Sequence, residues 1–128
     1  MDSKRWRVVF WAAAAYNFLA GLPSLLAPMR AMNSIGVIAP DPQFILPIQI
    51  MGLLICVFGV GYAMAAQGMQ GARQIVILGI LGKLGLCVLV ALRLAVAEVP
   101  SSMIVAVFGD FVFVLAFLAY LARGPRAA

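Results

Sequence analysis

Three residues stand where an apolar helix has no use for them. Lys83 and Asp110 each interrupt a long hydrophobic run, and Asn17 interrupts another. A charge at the centre of a bilayer costs roughly 2.5 to 3.5 kcal/mol on insertion scales, so it is kept for a partner or for a task. An ammonium and a carboxylate brought together can exchange a proton, open around an anionic ligand, or hold two helices in register. An amide beside them can donate to the carboxylate and accept from the ammonium.

Counting along the chain puts the three at one depth. Helical rise is about 1.5 Å per residue. Lys83 comes ten residues after Arg73, which is about 15 Å from that end of its helix. Asp110 comes twelve residues before Ala122 on the next helix, about 18 Å from the same surface if that helix runs back. Asn17, ten residues after Arg7, is again about 15 Å deep. The spacing predicts a Lys83–Asp110 pair with Asn17 beside it, and these are the candidate ligand or ion-pathway residues. Tyr16 is next to Asn17 in sequence but projects about 100° away around the helix, a weaker candidate. Phe113, Phe117 and Tyr120 follow Asp110 at helical spacing and can wall the network from lipid or line a pocket. Gln49, Arg93 and Glu98 form a second weak set toward the opposite end. There Arg93 can snorkel along its stem and Glu98 can meet water, so anchoring is their expected role.

Other chemistries find little support. The chain has no histidine, which removes imidazole catalysis and imidazole metal ligation. Its two cysteines, Cys56 and Cys87, fall in different apolar blocks and form no CxxC pair, so a thiol-disulfide relay is disfavoured. The seven methionines are dispersed and fit flexible packing better than soft-metal binding. No nucleophile–base pair or phosphate loop is present. Neither a cofactor nor a metal is expected, and an intramembrane enzyme acting on a lipid or isoprenoid, with Lys83 or Asp110 as acid or base, is the least supported reading.

The elements that must position these residues follow from composition. Hydrophobic residues make up 66% of the 128, and charged residues 10%. A soluble domain is nearer half apolar and a quarter charged. A soluble globular protein, a disordered chain and a nucleic-acid-binding module are thereby excluded. The apolar residues fall in four blocks, Val8–Met29, Phe44–Ala66, Ile75–Ala97 and Met103–Ala122. Each is close to the roughly 20 residues that cross a bilayer as a helix. The expectation is an all-α integral membrane protein, a single domain over 1–128, with helices near 7–27, 45–66, 73–97 and 102–122. Short connections favour an up-down-up-down antiparallel bundle. The longest connection lies between the first two helices. Its Met29, Met32, Ile35 and Val37 predict a short amphipathic segment, followed by an extended turn at Pro40-Asp41-Pro42. The first block follows a basic stretch as a signal peptide would. Its length and lack of a small-x-small site make it helix one instead, with Pro23 able to kink its last turn.

Charge orients the helices. With four crossings, Lys4, Arg5, Arg7, Arg73, Arg123 and Arg126 share one side, against Arg30 and Arg93 with Asp41 and Glu98 on the other. The positive-inside bias then places both termini in the cytoplasm, in a bacterial-type plasma membrane. Trp6, Trp11, Tyr62 and Tyr120 all fall toward that side and read as an interfacial belt. Small and polar residues mark helix contacts in lipid. Gln49, Gly52, Cys56, Gly59, Ala63 and Ala66 form such a seam, Ala13, Asn17 and Gly21 another, and Gly79, Gly82 and Gly85 flank Lys83.

The chain departs from small four-helix membrane families with known marks. Small multidrug exporters carry an acid in their first helix, where this chain has Asn17. Dual-topology fluoride channels are threonine-rich where this chain has no threonine. The expected role is a non-enzymatic subunit, assembly factor or oligomer-forming component. Its partners are the lipid bilayer and a second copy or another membrane protein, and not nucleic acid. The alternative is a small transporter, channel or lipophilic-ligand binder that uses Asn17, Lys83 and Asp110 as its site.

Overall fold

The computed structural model describes residues 3–37 and 41–125, and every regular element among them is helical. Pro40 of the expected turn and Arg126 of the basic side lie outside the described residues. The helices are α1 (Ser3–Leu26), α2 (Pro28–Ser34), α3 (Ile45–Ala66), α4 (Ala72–Leu94) and α5 (Ser101–Arg123), with a 3-10 turn at Pro42–Phe44 before α3. All except α2 are long and apolar enough to cross a bilayer, the build of a multi-pass membrane protein.

Local chemistry sets the ends. Pro28 biases the residue before it away from helix, and Ala27 breaks α1 from α2 with an extended φ of −140°. The short helix α2 then uses Pro28 in its first turn, where a missing N–H costs nothing. Gly68 closes α3 in a left-handed conformation at φ 79°. Its amide donates to Ala65 O at 3.0 Å and that of Met69 to Met64 O at 3.3 Å, the paired bonds that occupy a helix's last carbonyls. Asp41 accepts from the Gln43 amide at 3.0 Å and starts the 3-10 turn.

Two boundaries differ from expectation. The described part of α1 already includes Ser3 to Trp6, residues read above as preceding the helix. At the other end of the chain's third span, α4 stops at Leu94 although its apolar block runs to Ala97. A helix continued into Pro100 would drive the proline ring against the Val96 carbonyl and force Val99 into a disfavoured conformation. The chain turns first, with the Val96 and Ala97 amides both donating to Arg93 O.

The helices associate as two close pairs, α1 with α3 and α4 with α5. In the first, Gly52 meets Gly21, Gly59 meets Asn17, and Gln49 donates to Leu25 O at 3.3 Å. In the second, Arg73 meets Leu121, Lys83 meets Asp110 and Cys87 meets Val107. Residue numbers climb in one helix as they fall in the other, so each pair is antiparallel. Backbones touch in the first pair: a Cβ on Gly52 would sit 2.7 Å from Gly21 O and 2.7 Å from Leu25 N. The small-residue seam read from α3 is thus its face against α1.

The four long helices share a core only toward one end. Its buried members are Trp6, Phe10, Ala13 and Ala14 of α1, Tyr62, Ala65 and Ala66 of α3, Val76 and Ile80 of α4, and Val114, Phe117 and Tyr120 of α5. Three residues expected in an interfacial belt are therefore interior: Tyr62 is 1% exposed, Trp6 3% and Tyr120 5%. Aromatic rings fill the space where helices meet, Trp6 edge-on to Tyr120 at 5.2 Å and Tyr62 against Phe117 at 5.1 Å. Trp11 alone of the four remains exposed.

Candidate functional site

The polar residues sit at the upper limit of this core. Lys83 is the last buried residue of α4, and Asp110 is the first buried residue of α5. Depth counting is what brings them level: their helices run antiparallel, and Lys83 Nζ lies 2.5 Å from Asp110 Oδ1. The ammonium makes a second bond of 3.1 Å to Asn17 Oδ1 on α1. Asn17 in turn donates through Nδ2 to the Ile55 carbonyl of α3 at 3.0 Å. One chain of polar contacts therefore joins all four long helices. The Asn17 amide group points to α3 backbone and not, as expected, to Asp110.

Rings enclose the ammonium. Lys83 Nζ lies 5.3 Å from the Tyr16 ring centre, 5.5 Å from Phe113 and 5.7 Å from Tyr62. Each ring face attracts a cation, more strongly where water is excluded. Tyr16 also donates through its hydroxyl to the Ala106 carbonyl of α5. Its adjacency to Asn17 therefore does bring it to the network, from the side, with the phenol reaching across to α5. Phe113 walls the site as its spacing predicted.

Two glycines make room for the tyrosines. A Cβ on Gly109, the residue before Asp110, would meet the Tyr16 ring at 2.8 Å, and one on Gly79 would meet Tyr62 Oη at 2.5 Å and its ring at 3.0 Å. Gly79 is one turn before Lys83, so each charge has a glycine beside it that admits an aromatic wall. Tyr62 is the member that sequence reasoning missed. Nothing in its own helix marked it, because its seat is Gly79 of α4. Gly82 and Gly85, by contrast, face open space, with nothing within 4 Å of an added Cβ.

The weaker candidates lie elsewhere. Gln49 holds α1 through Leu25 O and does not reach Arg93 or Glu98. Both of those are exposed, and neither makes an ion pair with a described residue. The cysteines are free, Cys56 packed by Gly21 and Cys87 directed at the Val107 carbonyl at 3.7 Å.

Lys83 is thus answered by a carboxylate, an amide and three rings, all from the chain itself. Asp110 is less completely held. Among the described residues no donor reaches its second oxygen, and its side chain keeps 12% exposure against 7% for Lys83. The arrangement can neutralise two charges in a low-dielectric setting and leave one acceptor available. Comparison with known protein families, with curated proteins and with solved structures gives no match for this chain.

Proposed function

We propose that this small membrane protein is a non-enzymatic component of a membrane assembly, in which Lys83, Asp110 and Asn17 form a lock between helices. The observation that carries this reading is that the polar chain touches α1, α3, α4 and α5 and satisfies the ammonium wholly from within. An interhelical polar contact of this kind specifies register in lipid, where hydrophobicity does not distinguish one apolar face from another. Assembly with a second copy or another membrane protein is supported by the faces left over. Past Lys83 no residue of α4 is buried, and Gly82 and Gly85 offer a flat surface to a neighbouring helix. The charge bias supports insertion in a bacterial-type plasma membrane with both termini cytoplasmic.

A second reading makes the network a site for a transported or lipophilic ligand. The unengaged oxygen of Asp110 and its residual exposure favour it. Unfolding in detergent separates the two. Lys83→Met and Asp110→Leu each strand an unpaired buried charge, and each is expected to cost about 3 kcal/mol or more. The double variant replaces both partners by apolar groups and is expected to return to within about 1 kcal/mol of the wild type. Single variants as stable as the wild type would remove the lock and leave the site reading.

A further inference from the structure

The core end of the molecule holds a cavity of about 240 Å³, bordered by Trp6, Arg7 and Phe10 of α1, Gly71 and Arg73 at the start of α4, and Tyr120 of α5. Two of these residues carry a hydrogen-bond donor that has no acceptor. Trp6 is 3% exposed, and its indole Nε1 is buried without a partner. Arg73 uses Nη2 on the Leu121 carbonyl at 2.6 Å, while its Nη1 is buried and unpaired. Leaving a buried donor unpaired costs stability, more so when it is charged, and native chains keep few of them. The residues that carry both orphans line the same cavity.

The charge there is of one sign. Arg7 and Arg73 line the cavity, and no described acid does. Gly71 starts α4 in a left-handed conformation and gives no side-chain cap, so the first amides of that 23-residue helix add their partial positive charge. A site with two unpaired N–H donors, two guanidinium groups and a helix start wants oxygen acceptors bearing negative charge. The cavity is smaller than the roughly 300 to 1,000 Å³ of a drug-sized pocket. It suits a compact head.

We propose that this cavity binds a phosphate-type oxyanion, with Trp6 Nε1 and Arg73 Nη1 as its paired donors and Arg7 at its mouth. The oxyanion is presented by the headgroup of an anionic phospholipid or arrives free as a small phosphate. Basic pockets between membrane helices hold lipid headgroups by this chemistry. The site stands apart from the Lys83 network and does not depend on how that network is used.

The test uses the full chain purified in neutral detergent, with inorganic phosphate as the free probe, phosphatidic acid as the lipid probe and phosphatidylcholine as the zwitterionic comparator. Binding is read by calorimetry and by the shift in Tm. Trp6→Phe keeps an aromatic side chain of smaller size and removes the donor, and Arg73→Gln removes the charge. Phosphate and phosphatidic acid are both expected to raise Tm if the oxyanion alone suffices, and phosphatidic acid alone if the acyl chains must help. Either result supports the site, provided that both variants weaken binding about tenfold or more, the loss of one charge-assisted hydrogen bond. Probes that fail to bind, binding no tighter than phosphatidylcholine, or binding that both variants leave intact would overturn the proposal.

Discussion

Lys83 has more partners than the single carboxylate that a charge count assigns to it. Asp110 takes the 2.5 Å contact, but Asn17 and three aromatic faces share the ammonium, and Asn17 passes the connection on to the Ile55 carbonyl. The Ile55 carbonyl belongs to the body of α3, so the Asn17 bond is a supplement there; on Lys83 it is one of two oxygen acceptors. Removing the amide should therefore be felt through the charge. Asn17→Ala is expected to cost about 1 kcal/mol in the wild-type background, in line with interhelical polar contacts in lipid. In the Lys83→Met/Asp110→Leu background the same substitution should cost markedly less, because no ammonium remains to lose an acceptor. A double-mutant cycle by unfolding in detergent measures the difference, and equal costs in both backgrounds would place the role of Asn17 at α3 alone.

Helix pairing is decided by what the facing side chains leave out. Gly52 and Gly21 put backbone against backbone, so Gly52→Ala must push α3 from α1 or distort both. The expected cost is about 1 to 3 kcal/mol, as for overpacked cores. Gly82→Ala, on the same protein but with open space around it, should leave the stability of the single chain unchanged or slightly raised. Thermal unfolding of the two variants side by side checks the contrast. Much at this scale was legible in the sequence. Small residues at heptad spacing marked the α1 contact of α3, and a fixed helical rise levelled Lys83 with Asp110. Tyr62 was not legible. On a helix apolar all round, no amphipathic pattern says which face turns inward, and a tyrosine near a helix end fits an interfacial belt as well as a core. Its seat is formed by Gly79, a residue of another helix, and only packing brings the two together. The early stop of α4 was within reach, since Pro100 is in the sequence, but the apolar run to Ala97 concealed it.

Across the whole molecule, burial is uneven along the membrane normal. Every buried residue of α4 lies at or before Lys83, and every buried residue of α5 lies at or after Asp110. The polar network therefore closes the four-helix core on one side. Beyond it the outer halves of α4 and α5 keep mainly each other, along an apolar groove of about 250 Å³ that includes Cys87, Leu94, Val107 and Phe111. In lipid a side chain that leaves the protein loses packing contacts rather than entering water, so the cost of truncation follows how many protein atoms surrounded it. Phe117→Ala, at 0% exposure and ringed by Phe10, Tyr62 and Phe113, should cost about 2 kcal/mol or more. Leu89→Ala, at 64% exposure on outer α4, should stay within about 0.5 kcal/mol in the isolated protein. The same leucine becomes informative when the chain is in its native membrane. If a neighbour covers outer α4, Leu89→Ala and the bulkier Gly85→Leu should both weaken co-purification or cross-linking of that neighbour while leaving the unfolding of the purified chain unaltered. Unchanged association in both variants would move the partner to another face, and the outer half of α4 would then be a surface for lipid.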